Sequence, residues 1–285
     1  MVFEMKEYDA IIIVTGSAMN IIDTMIRSNP NSRIAVIDKD KPRGICLTRG
    51  CIPSKILLYP AELIRTIDEV SDFGIGVDLK KIDFDTIMSR MRTLINSEIA
   101  AIERGLSSSE NIDYFREISE FTSPYMLKVG EDTIRSNFII LCTGSKPYIP
   151  QIKGLEKTVY LTSDTLLELD KMPRSLAIVG GGYIAAEYGH FFSSMGSKVT
   201  IIGRNPQFLP EEDPEISSLA KRELESHMTV LTNYEVREVK SQDGLKKLIT
   251  HHMETGNKHE ISAEEILIAT GRAPNTAILG ADKGA

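Results

Sequence analysis

The sequence predicts an α/β fold with two Rossmann-like dinucleotide-binding domains, because two separate segments share the pattern of a βαβ unit. Residues 8–16 and residues 176–182 each form an apolar run that leads into glycine and then into a helical pattern. In such a unit a phosphate group binds backbone N–H groups at the start of the helix. A chain of 285 residues is long enough for two domains. Two units of this kind imply two dinucleotides.

The composition argues against several classes of protein. The formal net charge is −7 at pH 7 and no basic run is present, which argues against a nucleic-acid groove. The longest apolar run near the start, residues 10–14, is too short to span a bilayer. The start also lacks the basic region and cleavage site of a secretory signal. We therefore expect a cytoplasmic protein that binds neither nucleic acid nor membrane.

The second glycine segment has the spacing Gly180-x-Gly182-x-x-Ala185 and leads into a helix predicted over 184–195. The first glycine permits the tight turn, the second lets the backbone approach a pyrophosphate, and the alanine keeps the helix close to the sheet. The next predicted strand ends at Gly203 and Arg204, where a site for NAD usually has an acidic residue. Because arginine pairs with a 2′-phosphate, NADPH is favoured over NADH. The alternative is that Arg204 simply points to water.

The first glycine segment is degraded. Residues 16–21 keep one glycine of three, namely Gly16. Ala18 adds a Cβ where the backbone should approach phosphate, and Ile21 crowds the packing of helix on strand. Asp38 nevertheless ends the next predicted strand, 33–37, at a distance that suits a carboxylate on a ribose. An ordinary βαβ unit that binds nothing is the alternative.

Cys46 and Cys51 are the most informative pair of residues in the chain. A disulfide between them closes a small ring, which opens and reforms more easily than a long structural cross-link. No metal site is predicted, since the five histidines offer no second ligand pair at zinc-finger spacing. The helix predicted over 54–70 places the thiols near its positive end, where the thiolate pKa is lowered. Cys142, at the end of an apolar strand, is predicted to be a small buried hydrophobe.

Together these motifs resemble the class I pyridine nucleotide-disulfide oxidoreductases, which include dihydrolipoamide dehydrogenase, glutathione reductase and mercuric reductase. The resemblance extends over essentially the whole chain. Its most specific element is the segment 46–55, which is similar to the redox-active disulfide motif of the family, with Arg43 in place of a usual glycine. Four further matches follow in order, at Thr143-Gly144-Ser145, at 180–184 with Glu187, at 209–213 and at 269–275.

The resemblance implies a set of cofactor contacts. FAD would bind the first unit, through Gly16, Asp38, Ser119, Thr143 and Gly144. Lys55 would lie near the reactive nitrogen of the flavin and pair with Glu187 from the other domain. The pyridine nucleotide would bind the second unit, through Gly180, Gly182, Tyr183, Ile184, Gly203, Arg204, Val236 and Gly271. Tyr183 would cover the flavin until the nicotinamide displaces it. Taken singly, Lys55 and Glu187 are equally consistent with surface charges, and Tyr183 with simple packing.

The resemblance also implies a relay. NADPH reduces FAD, the reduced flavin opens the disulfide at Cys51, and Cys46 exchanges with a small dithiol or disulfide substrate. Electron transfer in the reverse direction, from a dithiol substrate to NAD⁺, is the alternative. The most similar activity is that of dihydrolipoamide dehydrogenase, which acts on a lipoyl-type substrate. A catalytically incompetent dinucleotide-binding fragment is the alternative, since one glycine loop is eroded.

Three segments are expected along the chain. Residues 1–149 form the FAD domain, with a helix over 84–104 and a strand-rich excursion over 120–137, and residues 150–272 form an inserted NAD(P) domain. Residues 273–285 begin the return to the FAD domain. The family's C-terminal interface domain has no match in this chain. The family's His-Pro base has no match either, because no histidine here is followed by proline. A homodimer is expected for the full-length family form and is in doubt for this chain.

Overall fold

The computed structural model describes residues 5–42 and 44–284, so Arg43 of the predicted disulfide motif lies outside the described residues. The α-helices are α1 Met19–Ser28, α2 Gly44–Arg49, α3 Cys51–Glu69, α4 Phe84–Ser108, α5 Tyr183–Ser194 and α6 Pro214–Glu225. Short 3₁₀ helices cover Val70–Phe73, Leu155–Lys157, Thr165–Glu168, Ala277–Leu279 and Ala281–Lys283. None of the helices in the described ranges is long and apolar enough to cross a membrane.

The strands in chain order are β1 Lys6–Glu7, β2 Ala10–Ile13, β3 Ile34–Ile37, β4 Ile112–Phe115, β5 Ser119–Ser123, β6 Met126–Val129, β7 Asp132–Arg135, β8 Ile139–Leu141, β9 Ser145–Pro147, β10 Leu161–Thr162, β11 Ser175–Val179, β12 Lys198–Ile202, β13 Thr229–Leu231, β14 Tyr234–Gln242, β15 Leu245–His252, β16 Lys258–Ala263, β17 Glu265–Ile268 and β18 Arg272–Pro274. The strand predicted over 198–202 matches β12, and the excursion predicted over 120–137 contains β5, β6 and β7.

The chain divides into two compact units. Unit 1 consists of the described residues within 1–52, 93–146 and 273–285, and unit 2 consists of 53–92 and 147–272. The predicted domains are defined by the cofactor that each would bind, so their boundaries at 149 and 272 remain predictions.

Unit 1 is built on a parallel sheet with the strand order β4-β3-β2-β8. Every residue of β2 and β3 is buried, because both faces of the sheet are covered. On one face Ile12 and Val36 pack against Ile22 of α1 and Leu106 of α4. The other face packs against the sheet β1-β7-β6-β5. The site of this unit is therefore supported from both sides of its sheet.

Unit 2 has a five-stranded parallel sheet with the order β10-β17-β11-β12-β13, which confirms the second predicted Rossmann-like unit. Phe191 and Phe192 of α5 are fully buried. Val179 and Ile202 of the parallel sheet share a core with Leu248 of the antiparallel sheet β14-β15-β16. That antiparallel sheet was not predicted from the sequence.

The two parallel sheets share one hydrogen-bond register, which identifies equivalent positions in the two units. Val14 N–H donates to the carbonyl of Ile37 at 2.7 Å, and Gly180 N–H donates to that of Ile202 at 2.9 Å. Each donor directly follows the first strand of its unit, and each acceptor ends the second strand. Val14 is therefore the equivalent of Gly180.

This register corrects the predicted first loop. The loop begins at Val14, two residues before the predicted start, and Gly16 is the equivalent of the second glycine, Gly182. The prediction used the surviving glycine as the start of the motif, whereas the turn in the backbone lies at Val14, where φ is 70°. By the same register Asp38 is the equivalent of Gly203.

Candidate functional site

The two predicted redox cysteines lie together on the turn between α2 and α3 in unit 1. Cys46 Sγ donates a hydrogen bond to Cys51 Sγ at 2.9 Å, and both residues are exposed. The turn depends on Gly50, since a Cβ there would lie 2.9 Å from the carbonyl oxygen of Ile45. Without that side chain the backbone folds back closely enough to bring the two thiols together. The pair can therefore cycle between dithiol and disulfide with little movement.

The predicted lowering of the thiolate pKa is wrong for Cys46. The hydrogen bond to Cys51 raises the pKa of the Cys46 thiol, and partial burial raises it further. Cys46 lies inside α2 rather than at the start of α3, and the thiol keeps its proton for the bond to its neighbour. Only Cys51 occupies the first position of α3.

Lys55 and Glu187 form a direct ion pair in unit 2, between α3 and α5. This is the predicted pairing, although the prediction placed the two residues in different domains and both lie in unit 2. Two further polar contacts join the same helices, from His190 to Glu62 at 3.4 Å and from Arg65 to the hydroxyl of Ser193. The two helices are thus held together by a row of polar contacts that begins at Lys55.

The predicted pyridine-nucleotide residues of unit 2 line a single cavity of about 560 Å³. They are Gly180, Gly182, Tyr183, Ile184, Gly203, Arg204, Val236 and Gly271. Sequence reasoning missed Tyr148, Thr270 and Arg272, which line the same cavity. The N–H of Tyr148 donates to the carbonyl of Gly271, and the Thr270 hydroxyl donates to the carbonyl of Tyr148. Their positions beside Gly271 and Pro147 were the available signal.

Two glycines of the second loop have different structural roles. Gly180 has a φ of 135°, and a Cβ on it would lie 2.1 Å from the carbonyl oxygen of Ala269. Only glycine fits there. A Cβ on Gly182 would meet nothing within 4 Å, although Gly182 lines the cavity at the start of α5. The open space beside Gly182 is where a phosphate can approach the helix N-terminus.

Where β12 ends, this cavity is lined by Gly203, which stands at the position equivalent to Asp38, and by an arginine, and Glu211 and Glu212 line it as well. Gly203 packs closely on Gly181, since a Cβ on Gly203 would lie 3.4 Å from the Gly181 Cα. Arg204 follows it, is exposed and lines the cavity. Glu235, which also lines the cavity, is paired with Arg237 at 2.9 Å. The arginine beside the equivalent of Asp38 is therefore available to an anionic ligand.

In unit 1, Asp38 is buried at the end of β3, with 2% of its surface exposed. Its Oδ2 accepts hydrogen bonds from the Thr15 N–H at 3.0 Å and the Thr15 hydroxyl at 2.6 Å. The predicted turn at Thr143 and Gly144 is held by Asn275, whose side-chain amide donates to the carbonyl of Thr143. Gly16, Asp38 and this turn all follow strands of one parallel sheet, at its carboxyl edge.

Unit 1 also contains buried hydroxyls without a hydrogen-bond partner, which is unusual in a folded protein. They belong to Tyr114 on β4 and to Ser119, a predicted flavin contact on β5. Burial, and then the nearby Asp38 carboxylate, raise the pKa of Tyr114 to about 12, so its hydroxyl remains a donor. These groups and the Asp38 carboxylate fit the polar adenosine end of FAD. No group of three His, Cys, Asp or Glu side chains suited to a metal occurs among the described residues.

The chain is similar to several curated enzymes at the same level of identity. It is 30% identical to mercuric reductase from Lysinibacillus sphaericus, over 94% of this chain and 49% of that protein. Mycothione reductase from Mycobacterium tuberculosis is 30% identical over 98% of this chain and 60% of its own length. Dihydrolipoyl dehydrogenase from Acholeplasma laidlawii is 30% identical over 95% of this chain and 80% of its own length. The chain spans about half the length of the first relatives it matches.

A solved structure shows the same fold. The HOCl-induced flavoprotein disulfide reductase RclA from Escherichia coli, in a Cu(II) complex, has a TM-score of 0.83 at 27% identity. The similarity covers 98% of this chain and 60% of that one. A family model described as pyridine nucleotide-disulphide oxidoreductase matches residues 8–285. The redox-ready thiol pair and the glycine loop over a nucleotide-sized cavity agree with that match, and the chain belongs to the pyridine nucleotide-disulphide oxidoreductase family.

Proposed function

We propose that this chain carries the thiol pair and the nucleotide site of an NADPH-dependent flavin disulfide oxidoreductase. The observation that carries the proposal is the exposed pair of sulfurs, 2.9 Å apart, on a turn that Gly50 keeps tight. The net reaction takes a substrate disulfide, NADPH and one proton to two substrate thiols and NADP⁺. The second unit supports it with a cavity that has room for a phosphate at Gly182.

The exchange step uses only Cys46 and Cys51. Cys46, as thiolate, attacks one sulfur of the substrate disulfide, forms a mixed disulfide and releases the first substrate thiol after protonation. Cys51 then attacks the sulfur of Cys46, releases the second substrate thiol and closes the protein disulfide. Two electrons and two protons restore the dithiol. Because its pKa is raised, Cys46 must lose its proton to a base or to solvent before it attacks.

FAD, when bound, supplies a carrier that accepts hydride and passes on two electrons. Asp38, Tyr114 and Ser119 are the residues that would hold its adenosine end. Lys55 and Glu187 are assigned to the reactive ring by resemblance, and their ion pair fixes the lysine side chain in one orientation. These assignments remain proposals.

NADPH is the proposed reductant because the position equivalent to Asp38 is Gly203, with Arg204 next to it. A carboxylate at that position would repel a 2′-phosphate, and arginine binds one. Replacing Arg204 by Ala should raise the KM for NADPH by about 10- to 100-fold, the equivalent of one charged hydrogen bond. The KM for NADH should change by less than about twofold. Arg222→Ala on α6 is the matched control. An equal rise in the KM for NADPH and for NADH in Arg204→Ala would contradict the assignment of Arg204 to the 2′-phosphate.

The proposed substrate class is a small disulfide or dithiol, and a mercuric ion is the other candidate. Relatives named for mercuric ion, mycothione and dihydrolipoyl chemistry match this chain at the same identity, so a lipoyl-type substrate stays one candidate among three. Homodimer formation and a cytoplasmic location also stay predictions.

Thiol counting under anaerobic conditions tests the proposal. The protein is oxidised with diamide, desalted, mixed with excess FAD and NADPH, then denatured in acid and freed of nucleotide, and its free thiols are counted with a chromogenic disulfide under denaturing conditions. Wild type should gain two thiols per chain, Cys51→Ser none, and Cys142→Ser two. If NADPH binds the wild type and no thiols appear, the chain is a nucleotide-binding fragment without this activity.

A further inference from the structure

Val14 occupies the position of the first glycine in the flavin loop. Its φ of 70° lies in the left-handed region, which is strongly unfavourable for a β-branched side chain. Its equivalent, Gly180, has a φ of 135°, in a region that is open essentially only to glycine. Valine does not adopt the φ of Gly180, so the two loops differ in backbone conformation at this position.

The backbone beyond Val14 shows the consequence. The Thr15 amide, which follows the turn, is bound to the Asp38 carboxylate at 3.0 Å. Gly44, at the start of α2, lies directly on the loop, since a Cβ there would be 2.7 Å from the Gly16 Cα. At Gly182, the equivalent of Gly16, the corresponding space is open. A Cβ on Gly16 itself would lie 3.9 Å from the Gly44 Cα and from the Cys142 carbonyl oxygen, so other parts of unit 1 surround the Gly16 position, whereas the equivalent position at Gly182 is open.

We propose that Val14 sets the flavin affinity of this chain, so that FAD is held weakly and exchanges with free FAD in solution. The inference rests on the proposed function in one respect, namely that unit 1 is the flavin unit. Val14→Gly lets the loop adopt the turn of Gly180, frees the approach to Gly16 and tightens FAD binding.

Quenching of FAD fluorescence on binding to the full chain measures the affinity directly. The dissociation constant should fall at least about tenfold in Val14→Gly, about 1.4 kcal/mol, and stay within about threefold in Val14→Ala, which keeps a Cβ at the turn. Tyr125→Gly is the matched control, because Tyr125 also lies in unit 1 with a positive φ of 63° but outside the loop. It should leave the dissociation constant unchanged.

A second measurement needs no flavin. Without FAD, the thermal midpoint of Val14→Gly should lie about 2–6 °C above that of Val14→Ala, because both variants lose the packing of the Val14 side chain against the core and only glycine relieves the unfavourable backbone conformation. Wild type that retains stoichiometric FAD through gel filtration overturns the inference, as does a Val14→Gly variant that binds FAD no more tightly. The thiol count separates this result from the proposed function. If wild type binds FAD tightly and gains two thiols, only the role of Val14 is refuted. If Val14→Gly binds FAD tightly and gains no thiols, only the proposed activity is refuted.

Discussion

Alanine at the two glycines of the second loop should separate stability from nucleotide binding. In Gly180→Ala the new Cβ meets the Ala269 carbonyl oxygen at 2.1 Å, and the residue must hold a φ of 135°. The backbone conformation costs about 1–3 kcal/mol, and the shift that relieves the clash costs about as much again. The loss of about 2–6 kcal/mol is a large part of the 5–15 kcal/mol, roughly, that holds a protein folded.

Gly182→Ala should do the opposite. Its φ is −97°, which any residue adopts, and its Cβ meets nothing within 4 Å, so the free energy of unfolding should change by less than about 1 kcal/mol. The Cβ occupies the space where phosphate approaches, and the NADPH dissociation constant should rise about tenfold or more. Urea unfolding followed by circular dichroism and NADPH fluorescence titration measure the two effects. A loss of less than about 1 kcal/mol of unfolding free energy in Gly180→Ala would refute the structural role of Gly180. Unchanged NADPH binding in Gly182→Ala would refute the role of Gly182 in phosphate binding.

Three further outcomes are expected. Cys51→Ala removes the hydrogen bond that raises the pKa of Cys46, so iodoacetamide should alkylate Cys46 faster at pH 8 than in the reduced wild type; an unchanged rate would point to burial as the main cause. Gly50→Ala should shift the thiol–disulfide equilibrium in glutathione buffer about tenfold toward the dithiol, because the Cβ pushes against the Ile45 carbonyl, and an unshifted equilibrium would show that the turn yields freely. Burial lowers the pKa of His190, which is neutral in the folded chain, whereas the unfolded chain binds a proton as the pH falls below about 6.5. The free energy of unfolding should therefore fall from pH 7 to pH 5, and fall less in His190→Gln.

Much of the fold follows from apolar runs and glycine. Both parallel sheets were predicted because strands buried on two faces are continuously apolar, as at Ala10–Ile13 and Ser175–Val179. The antiparallel sheet was missed because its strands have an exposed face. In Tyr234–Gln242, charged residues interrupt the alternation and no buried run stands out. Residue type therefore predicted the strands with two covered faces and the short strands β5 to β7, and not the longer antiparallel strands β14 to β16.

The site shows the same division between chemistry and geometry. The thiol pair and the ion pair of Lys55 with Glu187 were identified from motifs, and the structure brings each pair together. The direction of the Cys46 pKa depends on a hydrogen bond, for which the sequence has no signal. The loop register was misplaced for a similar reason, since a valine at a positive φ is so unfavourable that no pattern suggests it.

The loops that begin at Val14 and Gly180 can serve as controls for each other. They share one hydrogen-bond register, so the residues at equivalent positions of the two loops can be compared directly. Val14 stands against Gly180 at the turn, and Asp38 against Gly203 at the ribose end. The first pair governs how closely a phosphate approaches, and the second governs which ribose is accepted. Val14→Gly should therefore change flavin affinity without changing the choice of nucleotide in unit 2, and Arg204→Ala should change the choice of nucleotide without changing flavin affinity.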